Sequence, residues 1–85
     1  MARYAVEFRR SADKDLRRLA PTVQRRVLLA AETLASNPRP SGCRKLQGSE
    51  NAFRIRVGDY RIIYLWMTWL IVAIERVRHR REVYR

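Results

Sequence analysis

The segment 53-FRIRVGDYRIIY-64 decides the fold of this chain. Gly58-Asp59 is a tight-turn pair flanked by alternating residues, which predicts a β-hairpin. A symmetric turn pairs Val57 with Tyr60, Arg56 with Arg61, Ile55 with Ile62 and Arg54 with Ile63. Successive strand residues point to opposite faces. Phe53, Ile55, Val57, Tyr60, Ile62 and Tyr64 therefore share one face, and Arg54, Arg56, Arg61 and Ile63 share the other. The apolar face has to pack, so the arginines are expected to point outward. A slip of one residue would exchange the two faces.

That register sets Arg56 directly opposite Arg61, and like charges in such a pair destabilise a sheet. Charge on an exposed strand does guard against aggregation. A face built for solubility alone, however, does better with mixed signs. Three arginines and no acid suit a site that waits for an anion.

Outward from the hairpin, "RYAVEF" (3–8) alternates, with Tyr4, Val6 and Phe8 on one side, and reads as a half-buried strand. Ser11 is expected to cap a helix over "ADKDLRRLA", with Asp13 and Asp15 in its first turn. Pro21 fits the first turn of a second helix, whose Val23, Val27, Ala31 and Leu34 form one apolar stripe. "NPRPSG" (37–42) ends it in a loop. "WLIVAIERV" (69–77) is a further strand, joined to the hairpin through a weaker turn signal at Met67-Thr68. The end of the tail "RHRREVYR" could add one short strand. The expected order is β-α-α-β-β-β: an α+β fold, one small domain over 1–85, with an antiparallel sheet packed against a helical hairpin.

Composition bounds the partners. The chain of 85 residues carries 19 Lys and Arg against 8 Asp and Glu, a net charge of +11. All but Lys14 and Lys45 of those cations are arginine. Such an excess favours polyanions, and the guanidinium fork matches phosphate bidentately. Nucleic acid or the ribosome leads as partner, ahead of an acidic protein. The tail adds Arg76, Arg78, Arg80, Arg81 and Arg85 around Tyr84, pairing phosphate neutralisation with a ring on which bases can stack. Cys43 is the only cysteine, which fits a reducing cytoplasm. The start of the chain lacks an apolar signal core. The apolar run 62–74 has 13 residues, too few to cross a bilayer as a helix, and is better read as two buried strands.

His79 is the only histidine, set between two arginines, and reads as a bystander or positioning group. No paired carboxylates, Ser-His-Asp set or Gly-rich phosphate loop stands out. With one His and one Cys, a metal site would have to lean on scattered carboxylates, so neither metal nor cofactor is expected. RNA cleavage by attack of a ribose 2′-OH on the adjacent phosphate needs neither. It calls for positioning and fixed positive charge. Arginine is a poor proton donor, so such a site needs help in holding its substrate.

Over nearly its whole length the chain resembles the RelE branch of the RelE/ParE toxin superfamily of bacterial and archaeal toxin–antitoxin pairs. The carrying segments are "SADKDLRRL", "NPRPSGCRKLQGSENAFRIRVGDYRIIY" and "HRREVYR", the last two together being quite specific. The resemblance implies a compact α+β toxin that enters the ribosomal A site and cuts mRNA without metal. It implies an acidic, RelB-like antitoxin as partner, with operator DNA reached only through that antitoxin. It places Arg54 and Arg56 where the family has basic residues, commonly lysines, for proton transfer and charge stabilisation. Arg61 matches a phosphate-binding arginine, Arg80 an arginine assisting the leaving group, and Tyr84 a tyrosine orienting the mRNA. Arg44 and Lys45 are expected on ribosomal RNA, and Arg78, His79 and Arg81 complete the RNA-binding set. Two departures stand out: Arg78 replaces a usual glycine, and "LWMTWL" replaces a longer polar turn. Trp66 and Trp69, near that turn, are either core residues or a partner patch. The competing readings are a ParE-like inhibitor of DNA gyrase and a non-catalytic RNA-binding or co-repressor module.

Overall fold

The hairpin forms in the expected register. In the computed structural model, which describes residues 3–67 and 70–83, strands β3 (Ala52–Val57) and β4 (Tyr60–Trp66) pair Arg56 with Arg61 and Ile55 with Ile62. Gly58 makes the turn possible with φ of +60°, a conformation that costs a residue with a Cβ. The Arg26 guanidinium lies 3.5 Å from where that Cβ would stand, so the turn is also covered from the helical side.

The remaining elements are β1 (Ala5–Phe8), α1 (Arg10–Arg17), α2 (Pro21–Ser36), β2 (Arg44–Lys45), β5 (Ile71–His79) and α3 (Arg80–Val83). The five strands form one sheet in the order β1-β5-β4-β3-β2. The sheet is mixed: β1 runs parallel to β5, and the other pairs are antiparallel. Val27, Ala31 and Leu34 of α2 are buried against Phe53, Ile55, Ile62, Tyr64, Val72, Ile74 and Val77. Burying each large aliphatic side chain contributes about 1.5–3 kcal/mol, so this stripe fixes which face of the sheet looks inward.

Three local expectations are corrected. α1 starts one residue before Ser11, with Arg9 in the capping position and no side-chain cap. The Arg9 N–H donates to the Ile74 carbonyl at 2.9 Å, so β1 holds the chain to the sheet up to the first helical residue. Asp15 lies beyond the first turn and serves another purpose, described below. The tail turns into α3 rather than a strand, tied by the Arg80 N–H to the Asp59 carbonyl at 2.7 Å. The first strand forms as expected but runs parallel to β5, and the sheet gains a short strand, β2, held by Leu46 N–H to Ala52 carbonyl at 2.8 Å. The weak turn signal at Met67-Thr68 falls partly outside the described residues; its flanks pair Trp66 with Val72.

One irregularity was not foreseen. Ile63 pairs with Arg76 and Tyr64 with Ile74, which leaves Glu75 without a partner in the ladder. This β-bulge shifts the alternation of β5 by one. Val72, Ile74 and Val77 all reach the core because of it, and Arg76 and Arg78 leave on the opposite face.

Candidate functional site

The face of the sheet turned away from α2 gathers the arginines. Cross-strand pairs line up Arg56, Arg61 and Arg78 in one row, and Arg44, Arg54, Ile63 and Arg76 in the next. Side chains directly paired across antiparallel strands share a face and lie close together. Arg44, Arg54, Arg56 and Arg61 line a cleft of about 300 Å³, with Gly42 and Ile55 at its wall. No carboxylate stands among those lining residues.

Arg61 is the centre of this group and departs from expectation. It lies on the predicted face, yet is only 5% exposed, whereas Arg56 is open to solvent. β4 is flanked on both sides, so Arg56 and Arg78 shelter whatever stands between them. The Arg61 Nη1 donates to the Gly58 carbonyl at 3.3 Å and the Tyr60 carbonyl at 3.1 Å. These bonds hold the guanidinium against the hairpin turn. A donor fixed before its anion arrives needs little reorganisation to receive it.

Arg76 is drawn elsewhere. Its Nε and Nη2 donate to the two carboxylate oxygens of Asp15 at 2.9 and 3.0 Å. The Val77 N–H adds a third bond to that carboxylate at 2.9 Å. Burial opposes ionisation of Asp15, but the Arg76 fork and the Val77 N–H outweigh it and hold its carboxyl below the ordinary value. Asp15 thus ties α1 to β5 past the end of β1 and neutralises one of the arginines.

The other expected site residues divide. Arg44 joins the cleft because β2 sets it beside Arg54. Lys45 pairs with Phe53 and so faces the other side of the sheet edge. Arg78 joins the row of Arg56 and Arg61. His79 pairs with Tyr60 and meets its ring edge-on at 5.3 Å, away from the arginine row. Its Nδ1 accepts the Arg81 N–H at 3.3 Å, which opens α3 and makes His79 a positioning group. Arg80 and Arg81 are exposed at the start of α3. Tyr84 lies outside the described residues, as does Trp69. Trp66 is half-buried against Tyr4 and Phe53, at 5.8 and 6.4 Å between ring centres. Two contributors had no signal in the residues read singly: Gly42 as a cleft wall, and Arg39, whose guanidinium lies 5.5 Å over the Phe53 ring.

Comparison with known proteins identifies the family and the fold. A family model described as the ParE toxin of the type II toxin–antitoxin system, parDE, matches residues 6–84. The chain is a RelE-type toxin of the RelE/ParE superfamily. The RelE1 protein of Methanocaldococcus jannaschii is 31% identical over 98% of this toxin and 97% of its own length. The RelBE2 toxin–antitoxin complex of Mycobacterium tuberculosis superposes with a TM-score of 0.78 at 30% identity, covering 91% of this toxin and 98% of that chain. A mutant of the E. coli toxin RelE in the free state gives a TM-score of 0.79 at 26% identity, over 99% and 92% of the two chains. The α+β fold of this toxin is therefore that of RelE toxins.

Proposed function

We propose that this toxin is a ribosome-dependent endoribonuclease that cuts mRNA in the ribosomal A site and so inhibits translation. The observation that carries the reading is the cleft lined by Arg44, Arg54, Arg56 and Arg61 with no acid among them. In the step, a ribose 2′-oxygen attacks the adjacent phosphorus, a 2′,3′-cyclic phosphate forms, and the 5′-oxygen leaves with a proton. Charge accumulates on the non-bridging oxygens, where the fixed guanidinium of Arg61 and the more open Arg54 and Arg56 can receive it. Arg80 is assigned to the leaving oxygen and Tyr84 to stacking on the message, while Arg44, Lys45, Arg78 and Arg81 hold RNA.

Arginine keeps its proton, so the lining residues supply charge and position but no base for the 2′-OH. Lysines at positions 54 and 56 could exchange protons; arginines there cannot. Activity on free RNA is accordingly weak, and the ribosome holds the substrate and completes the proton path. The partner that silences the toxin is an acidic, RelB-like antitoxin covering the arginine face; a RelB–RelE antitoxin–toxin complex from Methanococcus jannaschii and the toxin–antitoxin complex RelBE2 from Mycobacterium tuberculosis support an antitoxin partner. The site of action is the cytoplasm, and no described helix is long and apolar enough to cross a membrane.

The ParE family match favours a second reading, inhibition of DNA gyrase through protein contact. The two separate cleanly. Purified toxin is added to a translation extract and mRNA ends are mapped with and without ribosomes. Cuts within codons that need ribosomes, and that vanish in Arg56→Ala and Arg61→Ala, support cleavage. Intact mRNA together with inhibited DNA supercoiling overturns it in favour of gyrase.

A further inference from the structure

Lys45 does not belong to the arginine cleft, and the space it does line has a different chemistry. A second cleft, of about 580 Å³, lies along the sheet edge and includes Arg44, Lys45, Gln47 and Arg54. A third, of about 310 Å³, is lined by Arg39, Lys45, Glu50, Asn51, Phe53 and Trp66. The arginine cleft shares Arg44 and Arg54 with the second, and the second shares Lys45 with the third. β2 makes the link: its two residues point to opposite faces, Arg44 beside Arg54 and Lys45 beside Phe53. Both are exposed. A path of cations therefore runs from the arginine face, over the edge at β2, to the far side.

The third cleft is not a second phosphate site. Glu50 would repel an anion there. Trp66 supplies ring surface, Arg39 lays a planar guanidinium over the buried Phe53 ring, and Asn51 and Glu50 supply polar groups at the margin. Rings and a guanidinium plane stack on a base, and a carboxylate accepts from an exocyclic amino group. We infer that a single RNA strand bound at the arginine cleft continues over β2 and seats a base in the cleft of Arg39, Glu50 and Trp66, with Lys45 on the connecting phosphate. This rests on the reading of the arginine cleft as an RNA phosphate site. It adds a base-reading pocket outside that cleft, one that favours cytosine, adenine or guanine over uracil.

The test uses the full chain and RNA of 2, 4 and 8 nucleotides with 2′-O-methyl groups, which bind but cannot be cut by 2′-OH attack. Affinity is measured by fluorescence anisotropy across a salt series. Lys45→Ala and Arg39→Ala, both at exposed positions, are expected to weaken the 8-mer and leave the 2-mer unchanged. Lys45→Ala should lower the salt slope for the 8-mer by about 0.7, whereas Arg39→Ala, which removes a stacking plane, should leave the slope nearly unchanged. Glu50→Gln should narrow the gap between oligo-C and oligo-U. Equal effects on every length, or no effect on any RNA, overturn the inference. So does weaker binding of an acidic antitoxin with RNA binding intact, because the occupant would then be protein. Ribosome-dependent cleavage is followed in the same preparations. Cleavage by the wild type with Lys45→Ala binding normally sinks the path and leaves the nuclease reading standing; no cleavage with a length-dependent Lys45 effect does the reverse.

Discussion

The two faces of the β3–β4 hairpin come from the same twelve residues and obey opposite rules. On the inner face, Phe53, Ile55, Ile62 and Tyr64 are packed against α2 and against one another, as in the 5.8 Å stacking of the Phe53 and Tyr64 rings. On the outer face, Arg56, Arg61 and Arg78 stand in a row that repels itself. The inner face supplies stability and the outer face consumes some of it. A small toxin can hold such a cluster only because one face of each strand is fully committed to the core.

The sharpest way to break this contrast is from the inner side. Leu34→Ala opens a cavity between α2 and the sheet and should cost about 3–5 kcal/mol in denaturant unfolding. On the outer side, Arg61→Ala should lower ribosome-dependent cleavage about 10²–10³-fold, since it removes a preorganised donor; single-turnover mapping of mRNA ends measures it. If Arg61→Ala cut normally, the row would be structural and the contrast false.

Smaller effects refine the division. Asp15→Asn should cost about 1.5–3 kcal/mol near neutral pH by weakening the bonds to Arg76 and Val77. The sign with pH follows from the lowered carboxyl. Its stabilising contribution is complete above the ordinary value of 3.8 and is lost as pH falls through and below it. Asp15→Asn should therefore flatten the loss of stability in that acid range, read from thermal melts between about pH 2 and pH 5. Tyr64→Phe removes the 2.6 Å bond from the hydroxyl to the Pro38 carbonyl and should cost about 1–2 kcal/mol. That hydroxyl remains a donor throughout the usual pH range, because burial and the neighbouring Cys43 push its ionisation up. Arg56→Glu, at an exposed position opposite Arg61, should change the sign of the pair and raise stability by about 0.2–1 kcal/mol. The same change at Arg61 should destabilise instead, since its side chain is buried and bonded to two carbonyls.

The hairpin register was legible because turn chemistry and alternation point to the same answer around Gly58. The stripe on α2 was legible for the same reason: Val27, Ala31 and Leu34 repeat at one spacing and nothing contradicts it. The depth of Arg61 was not, since its shelter comes from Arg78, far along the chain, which alternation within the hairpin cannot see. The start of α1 was misplaced because a backbone bond from Arg9 to Ile74 replaced the Ser11 cap. The tail was misread because the Asp59 carbonyl captures the Arg80 N–H, a contact that local propensity does not encode. Of the site, the arginines on β3 and β4 could be named from the sequence, but the split of Arg44 from Lys45 required β2, two residues with no strand signal of their own.

Glu75 carries a consequence for how this toxin can vary in length. The unpaired residue in β5 works as a parity bit: an odd insertion relative to β4 decides that Val77 reaches the core and Arg78 the outer row. Deleting Glu75 alone would remove the bulge and leave a regular ladder, with Ile74 and Val77 still inward and Arg76 and Arg78 still outward. Deleting Arg76 together with Glu75 would instead turn Val77 outward and Arg78 inward. At its bulge, this strand can give up one residue and keep its faces, but not two.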